Sequence, residues 1–370
     1  MNRTRVLNTF LDLVTIDSPS QRESSVAHYC AQQLKRIGFT VDFDESQHET
    51  ESDTPQIIAH LTGTAPGHIA FSAHMDCVSP CIGVHPIIEN GVIHSDGSTV
   101  LGGDDKSGIA EILEGVESVK ESGRAYPDIT VLFSVCEELS VAGAPHYPDD
   151  LFTEETPCFV FDSDGSAGTI CIAAPYHYVY TATFHGQAAH AGVEPEKGRN
   201  AIVMAAHAIE RMPNGRQGET TTCNVGIIDG GSATNVVPED ATVRGECRSV
   251  DADEAICLKD QISAALTTGA QTFGGTVDIK WTLSYPGFLY AEDDPTIDMV
   301  KRAARAIGLK PVCKATAGGS DANVLGTKGA KPILMGSGMT HFHSLDESLN
   351  VSDLEGCARL IEEIAATVGN

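Results

Sequence analysis

The chain has 370 residues, of which 41% are hydrophobic and 20% are charged, a composition typical of soluble globular proteins. Its length favours two domains, and its formal net charge of −27 argues against a nucleic-acid partner because phosphates would be repelled. No apolar run approaches the ~20 residues of a membrane helix, and the first residues lack the features of a signal peptide. With 11 scattered cysteines, the sequence predicts a cytoplasmic protein with reduced thiols and no membrane partner.

Short apolar strands alternate with amphipathic helices over the first 175 residues. Ser20-Gln21-Arg22-Glu23 has the pattern of a capping box, and the helix that it predicts ends at Gly38. The next predicted elements are a strand over 68–75, a helix from Lys106 to Val119, and strands over 129–135 and 157–161. This alternation predicts an α/β fold with a mostly parallel sheet covered by helices on both faces.

The pattern changes near residue 175. The elements predicted there are strands over 176–184, 222–228, 241–248 and 276–283 and helices over 200–211 and 253–268. Their β-α-β-β-α-β order predicts an inserted α+β (ferredoxin-like) domain over 176–285 within a discontinuous domain over 1–175 and 286–370. The α/β pattern resumes afterwards, with helices over 294–307 and 353–368 flanking a strand over 332–335.

Two carboxylates, Glu137 and Glu138, stand side by side directly after the apolar strand 129–135. Two acidic side chains at the end of a buried strand are costly unless a cation compensates them. Adjacent side chains at a strand end point in different directions. The pattern therefore indicates that one carboxylate holds a metal ion while the other transfers a proton.

Further histidine and carboxylate groups follow other predicted strands or precede a predicted helix. They are His74 with Asp76, Asp104 with Asp105, Asp162 with Asp164, and His341 with His343. Taken singly, each pair has a structural alternative, such as a helix cap, a turn or a solvated surface. Because the carboxyl ends of strands form the ligand crevice of an open α/β sheet, we expect these groups to meet at one rim. Two histidines and three carboxylates match a paired zinc, cobalt or manganese site.

Six segments together resemble the M20 family of di-zinc exopeptidases, and most closely its peptidase T (tripeptide aminopeptidase) branch. They occur in the family's order and span nearly the whole chain. The segments are Ser72-Ala73-His74-Met75-Asp76, Gly103-Asp104-Asp105-Lys106-Ser107-Gly108, Cys136-Glu137-Glu138, Asp162-Ser163-Asp164-Gly165, Ala189-His190-Ala191-Gly192 and His343-Ser344-Leu345-Asp346-Glu347.

The resemblance implies metal-binding or catalytic roles for seven of the matched residues of the first domain. It implies His74 and Asp162 as ligands of one ion, Glu138 and His343 as ligands of the other, Asp104 as a bridge, Asp76 as the partner that orients His74, and Glu137 as the general base. It also implies a cis peptide bond between Asp104 and Asp105. Asp164 remains an alternative to Asp162, and His341 to His343, although the H-S-x-x-E context favours His343.

The inserted domain resembles the family's lid and dimerisation domain, which implies a homodimer formed through this domain. In that reading His190 helps to stabilise the oxyanion in the partner's active site, Asn235 and Arg248 hold the terminal carboxylate of the substrate, and Ser320 lines the pocket. The planar guanidinium of arginine suits a carboxylate because it binds bidentately. A surface salt bridge for Arg248 and a packing role for His190 remain the structural alternatives.

The predicted function is that of a metal-dependent exopeptidase that hydrolyses short peptides and releases the N-terminal residue of tripeptides. Two divalent ions, expected to be zinc with cobalt or manganese as alternatives, would activate the water, and Glu137 would take its proton. An aminoacylase or carboxypeptidase of the same superfamily is the nearest alternative, and a non-catalytic metal-binding scaffold is a remote one. Asp76 and Glu137 favour an enzyme, because neither is needed merely to hold a metal ion.

Overall fold

The computed structural model describes residues 1–152 and 155–368. In this part of the chain no helix is long and apolar enough to cross a membrane. The α-helices are α1 (Arg3–Val14), α2 (Ser24–Ile37), α3 (Gln47–Thr50), α4 (Gly103–Ser122), α5 (Ala201–Arg211), α6 (Ala252–Thr272), α7 (Pro295–Ala306), α8 (Asp321–Leu325) and α9 (Val351–Val368).

The strands run from the first domain through the inserted segment and back. They are β1 (Thr40–Phe43), β2 (Ile57–Leu61), β3 (His68–His74), β4 (Ile87–Glu89), β5 (Val92–His94), β6 (Asp128–Ser134), β7 (Thr156–Ser163), β8 (Thr169–Ala174), β9 (Tyr176–His185), β10 (Gly215–Arg216), β11 (Thr222–Gly230), β12 (Asp240–Ser249), β13 (Thr276–Tyr285), β14 (Phe288–Leu289), β15 (Val312–Ala315), β16 (Ala330–Gly336), β17 (Met339–Thr340) and β18 (Ser348–Asn350). The chain divides into two compact units, one of Met1–Ile172 with the residues from Tyr290 onward, the other of Ala173–Leu289.

The central sheet of the first unit has the strand order β1-β2-β6-β3-β7-β16-β8. Its four inner strands, β6, β3, β7 and β16, are mutually parallel. Outside them the pairings are antiparallel, β2 with β6 and β1 with β2 on one side and β8 with β16 on the other. The predicted α/β class with a mostly parallel sheet is confirmed.

Burial of continuous apolar runs explains why the inner strands form. Phe71 in β3 and Val131 and Phe133 in β6 are fully buried, as expected for parallel strands that are covered on both faces. Helix α4 packs against β3, β7 and α9, and its apolar side chains Ile109 and Ile112 are also fully buried. Each such side chain contributes about 1.5–3 kcal/mol through removal of apolar surface from water.

The loops at the carboxyl ends of the parallel strands carry most of the candidate functional residues. Strands β3, β6 and β7 end at His74, Ser134 and Ser163, and each is followed or closed by acidic side chains. The hairpin of β17 and β18 carries the loop 341–347. This edge is where open α/β sheets bind ligands.

Helix α4 approaches the sheet closely at Gly108. A Cβ atom there would lie 2.4 Å from the carbonyl oxygen of Phe161 and 2.6 Å from Asp105 Oδ1. Real side chains do not tolerate such distances, so glycine is needed for the first turn of α4 to pack against β7. The contact keeps Asp104 and Asp105, at the start of α4, beside the end of β7.

The second unit is an antiparallel sheet with the strand order β10-β11-β12-β9-β13 and with helices α5 and α6 packed on it. Its buried core includes Phe184 in β9, Val243 in β12, Met204 in α5 and Leu266 in α6. The chain order β9-α5-β11-β12-α6-β13 with the spatial order β11-β12-β9-β13 is the ferredoxin-like arrangement.

The predicted capping box at Ser20–Glu23 is wrong. Helix α2 begins at Ser24, and its N-cap residue Glu23 makes no side-chain cap hydrogen bond. Ser20 Oγ instead donates to Asp76 Oδ2 at 2.6 Å, and Glu23 Oε1 accepts from the backbone N–H of Cys136 at 3.0 Å. Both polar side chains therefore bind to the carboxyl ends of β3 and β6 rather than to the helix.

Candidate metal centre

Two histidines and three carboxylates from separate segments meet at the carboxyl edge of the first unit's sheet. His74 Nε2 lies 3.0 Å from Asp104 Oδ1 and 3.6 Å from Asp162 Oδ1. His343 Nε2 lies 3.1 Å from Asp104 Oδ2 and 2.9 Å from Glu138 Oε2. The two oxygens of Asp104 thus face two different imidazoles, which is the arrangement required of a bridging carboxylate.

The sequence leaves two pairs of alternative ligands open, and the structure brings one residue of each pair into this cluster. Asp162 faces His74, whereas Asp164 is exposed and its carboxylate pairs with Lys314. Both His341 and His343 are exposed, but His343 Nε2 contacts the cluster, whereas the backbone carbonyl of His341 accepts a hydrogen bond from within its own loop. Asp162 and His343 are therefore the members that lie within the cluster.

Asp76 holds His74 and the Glu137–Glu138 pair in fixed positions. His74 Nδ1 lies 3.0 Å from the Asp76 carbonyl oxygen and 3.4 Å from Asp76 Oδ1, so Nδ1 carries the proton and Nε2 is left to face the cluster. The Asp76 carboxylate accepts backbone N–H bonds from Glu137 at 3.0 Å and from Glu138 at 3.2 Å. One buried carboxylate therefore links the ends of β3 and β6.

Glu137 and Glu138 occupy different environments. Glu138 contacts His343, as described, whereas Glu137 is only 8% exposed and has no part in that contact. Burial, together with the carboxylate of Asp162, raises the pKa of Glu137 well above its ordinary value. Cys136 precedes the pair with a φ of +54°, so the chain turns sharply where β6 has ended.

The excess of negative charge also acts on the imidazoles. Burial lowers the pKa of His74, but hydrogen bonds with Asp104 and Asp162 outweigh it and raise that pKa well above the ordinary value. Hydrogen bonds with Asp104 and Glu138 raise the pKa of His343 to about 10. A divalent cation would compensate the same carboxylates and take the same ring nitrogens. This donor set of imidazole nitrogen and carboxylate oxygen fits zinc, cobalt or manganese.

Asp105 also belongs to the cluster, although it was not predicted as a ligand. Two groups bring ligand atoms within 4.8 Å of one another among the described residues, His74 with Asp104 and Glu138, and His74 with Asp105 and Asp162. Asp105 is fully buried. Its carboxylate oxygens accept hydrogen bonds from the backbone N–H of His74 at 3.3 Å and from the backbone N–H of Gly108 at 3.2 Å. The Asp104–Asp105 peptide bond is cis, as the resemblance implied.

Comparison with known proteins gives matches over the whole chain. Residues 178–272 match the M20 peptidase dimerisation domain, and residues 56–170 match peptidase family M28. The uncharacterized protein YqjE of Bacillus subtilis (strain 168) is 34% identical, with 98% of each chain covered. The structure of aminopeptidase PepT from Bacillus cereus ATCC 10987 is 34% identical with a TM-score of 0.93, and 100% of both chains is covered. That of a tripeptidase from Staphylococcus aureus subsp. aureus Mu50 is 32% identical with a TM-score of 0.93, covering 100% of this chain and 99% of the other.

The chain belongs to the M20 family of metallopeptidases. Within that family it is a peptidase T-like hydrolase. The membership confirms the family, the enzyme class and the need for metal ions that the sequence predicted. It also confirms that the segment after β8 contains an M20 dimerisation domain.

Two residues that the sequence predicted in the second unit of this M20 peptidase lie beside each other. His190 is exposed and forms an isolated backbone bridge with Val236. Its Nδ1 accepts a hydrogen bond from the backbone N–H of Gly192 at 3.1 Å. Asn235 is exposed, and its carbonyl oxygen accepts from the backbone N–H at 191, at 2.9 Å. The imidazole of His190 therefore keeps Nε2 as its donor atom.

Arg248, the third predicted residue of this unit, already has a carboxylate partner. Its Nε and Nη2 donate to the two oxygens of Glu246 at 3.1 and 3.0 Å. His177 Nε2 lies 2.7 Å from the same carboxylate, and these two partners lower the pKa of Glu246 to about 2 against the effect of burial. A substrate carboxylate would therefore have to compete with Glu246 for the guanidinium.

Ser320 is buried and serves as the N-cap of α8. Its Oγ accepts a hydrogen bond from the backbone N–H of Ala322 at 3.2 Å, and its own backbone N–H donates to Asn323 Oδ1 at 3.0 Å. The next residue, Asp321, is also buried and accepts a hydrogen bond from Ser134 Oγ, three residues before Glu137. The structure thus gives Ser320 a capping role and connects this motif to the end of β6.

Sequence reasoning missed two side chains that support the centre. Ser20 was interpreted as a helix cap, and no local pattern indicated its bond to Asp76. Glu347 received no role, although it lies in the H-S-x-x-E segment with His343. Its carboxylate accepts hydrogen bonds from the backbone around Asp104.

Proposed function

We propose that this M20 peptidase is a metal-dependent aminopeptidase that releases the N-terminal residue of short peptides, tripeptides in particular. The observation that carries the proposal is the Asp104 carboxylate between two imidazoles, with the buried carboxylate of Glu137 beside the cluster. The similarity to an aminopeptidase PepT and to a tripeptidase, over the whole chain, supports the substrate class.

The proposed ligands of one ion are His74, Asp104 and Asp162, and those of the other are His343, Asp104 and Glu138. We propose zinc, since it favours imidazole and carboxylate ligands, and cobalt and manganese share this preference. When bound, two such ions would lower the pKa of a water molecule and polarise the scissile carbonyl.

Each of the remaining proposed residues has a role that its chemistry suits. Asp76 keeps the ligand His74 in one tautomer and orientation. Glu137 takes a proton from the attacking water and later gives it to the leaving amine, because its buried carboxylate lies beside the cluster and burial raises its pKa above the ordinary value. The Nε2–H of His190 donates to the oxyanion in the active site of the partner subunit. Asn235 and Arg248 bind the terminal carboxylate of the substrate, and the motif of Ser320 lines the substrate pocket.

A substrate screen tests the proposal. We expect the metal-loaded protein to release the N-terminal residue of tripeptides, to act poorly on the same peptides after N-acetylation, and to lose activity with a chelator. Chromatography of the released amino acids identifies which end is cleaved. Release of C-terminal residues, or hydrolysis of N-acyl amino acids in preference to tripeptides, would instead favour the carboxypeptidase or aminoacylase alternative.

We also propose that the domain over 176–285 joins two copies of the chain. Residues 224–230 of β11 form an edge of the sheet, because the short strand β10 pairs only with residues 222 and 223. Ile227 and Ile228 on this edge are 47% and 48% exposed, and Ile202 of α5, next to Gly230, is 37% exposed. An exposed apolar edge strand favours pairing with another chain, and the match to a dimerisation domain supports a second copy as the partner.

Replacing Ile228 with lysine is expected to shift the protein from dimer to monomer, since the charge would be buried at the paired edge. Sedimentation velocity at several concentrations measures the change. Ile256→Lys is the matched control, because Ile256 is 46% exposed on α6, which packs on β9, β12 and β13. Dissociation by both variants, or by neither, would contradict an interface at β11.

We further propose a cytoplasmic location. All eleven cysteines are free thiols, and Cys257 is exposed. A chain with this many unpaired thiols is suited to a reducing compartment, because an oxidising one would promote disulfide formation at the exposed thiol.

A further inference from the structure

Glu347 is a buried carboxylate to which the proposed reaction gives no role. It is 1% exposed and lies four residues after His343, in the loop that joins β17 to β18. Its Oε2 accepts a hydrogen bond from the backbone N–H of Gly102 at 2.8 Å, and its Oε1 accepts one from the backbone N–H of Asp104 at 2.9 Å. The carboxylate therefore binds the chain on both sides of residue 103.

The backbone at 102–104 is shaped to enclose this carboxylate. A Cβ atom on Gly103 would lie 3.1 Å from Glu347 Oε1, closer than side chains ordinarily approach. Gly102 has a φ of +76°, which L side chains rarely adopt. Hydrogen bonds from backbone N–H groups to a carboxylate are among the stronger ones in proteins, and here both are shielded from water.

The same loop reaches Asp104 a second time through His343. His343 Nε2 lies 3.1 Å from Asp104 Oδ2, so the loop contacts the side chain of Asp104 with an imidazole and its backbone with a carboxylate. His343 itself has a φ of +60°, a conformation that costs energy for a side chain of its size. Glu347 is the buried anchor that holds this loop against the start of α4.

We propose that Glu347 is a positioning residue, which holds His343 and Asp104 at the spacing required by the ion that they share. The inference rests on the proposed two-ion centre and deepens it. Both carboxylate oxygens of Glu347 accept backbone N–H groups, so it is not proposed as a ligand. It acts through the backbone amide of Asp104 and through the loop of His343.

The two ions are expected to respond differently to the loss of this anchor. His343 depends on the loop that Glu347 holds, whereas His74 is held independently by Asp76 at the end of β3. Removing the anchor should therefore weaken the binding of both ions slightly through Asp104, which they share. It should weaken the ion bound with His343 much more, because that imidazole also loses the support of its loop.

Titration of the metal-free protein with Zn²⁺, in competition with a chromophoric chelator, resolves the two dissociation constants. For Glu347→Gln we expect one constant to rise by about 10- to 100-fold, the effect usual for residues that orient a ligand, while the other stays within about threefold. In a His343→Ala background the same substitution should add little to the selective rise, because that rise depends on the position of the His343 imidazole. Glu347→Asp keeps the charge on a shorter side chain and should give a smaller, equally selective rise.

Glu114→Gln is the control for a merely structural role. Glu114 is 2% exposed in α4 and accepts hydrogen bonds from the backbone N–H of Asn2 and from Ser118 Oγ. We expect Glu114→Gln to lower the melting temperature of the metal-free protein at least as much as Glu347→Gln does. It should not raise one Zn²⁺ dissociation constant more than the other.

Each remaining outcome would overturn a specific statement. Three results for Glu347→Gln would overturn the positioning role of Glu347 alone. They are an equal rise of both dissociation constants, the same response as Glu114→Gln, and unchanged dissociation constants with two ions bound. Failure of the unsubstituted protein to bind two ions would overturn the proposed centre, and the positioning role with it.

Discussion

Replacing Glu137 with glutamine is expected to lower kcat by about 10²- to 10⁴-fold while both metal ions remain bound, the loss typical of removing a general base. The amide has nearly the same size and fits the same buried position, but it cannot accept the proton of the attacking water. Since that interaction is made only in the transition state, kcat and kcat/KM should fall together and KM should change little. Steady-state kinetics on a tripeptide, with metal content measured on the same samples, provides the comparison.

Glu138→Gln is the matched control, because it places the same substitution one residue away. Glu138 contacts His343, so its replacement should release an ion, and added Zn²⁺ should restore part of the lost activity. No such rescue is expected for Glu137→Gln. Near-normal turnover by Glu137→Gln with its ions bound would exclude Glu137 as the general base.

The different roles proposed for Glu137 and Glu138 follow from how the end of β6 is held. The backbone N–H groups of Glu137 and Glu138 both donate to the Asp76 carboxylate, which also lies beside His74. With the backbone fixed in this way, one side chain reaches the His343 loop and the other stays buried near Asp162. A single carboxylate just after β3, that of Asp76, thereby holds two proposed ligands and the proposed base in position.

The sequence predicted the part of this centre that depends on strand ends. Apolar runs such as 129–135 identify buried parallel strands, and acidic residues directly after them must lie at one edge of the sheet. That reasoning predicts, without reference to distances, that His74, the Glu137–Glu138 pair and the segment 162–164 meet. It does not distinguish Asp162 from Asp164. The ion pair that holds the Asp164 carboxylate is made with Lys314, which is distant in sequence.

What the sequence did not reveal depends on long-range hydrogen bonds. The spacing of Ser20 and Glu23 satisfies the pattern of a capping box, yet Asp76 and the backbone of Cys136 bind them instead. The carboxylate of Glu347 meets an amide more than 240 residues earlier in the chain, so no periodicity signals it. Helix α1 was also missed, although Val6, Phe10 and Leu13 show a helical spacing and are buried.

Replacing Asp104 with asparagine is expected to abolish the binding of both ions and to reduce turnover below detection. Asp104 is the only one of the proposed ligands whose two oxygens face both imidazoles, at 3.0 Å from His74 Nε2 and 3.1 Å from His343 Nε2. An amide presents one oxygen and one NH₂ group, so it cannot bridge two cations, and it removes a negative charge that offsets theirs.

Thermal unfolding with and without added Zn²⁺ measures this loss independently of activity. A ligand that binds only the folded state stabilises it by about 2.7 kcal/mol at a concentration 100 times its dissociation constant, so the unsubstituted protein should melt at a higher temperature with metal. Asp104→Asn should show no such shift. Asp164→Asn provides the control, since Asp164 is exposed and paired with Lys314, and it should keep the full shift and both ions. A metal-dependent shift of normal size in Asp104→Asn would contradict a bridging role for Asp104, and loss of the shift in Asp164→Asn would return Asp164 to the set of ligands.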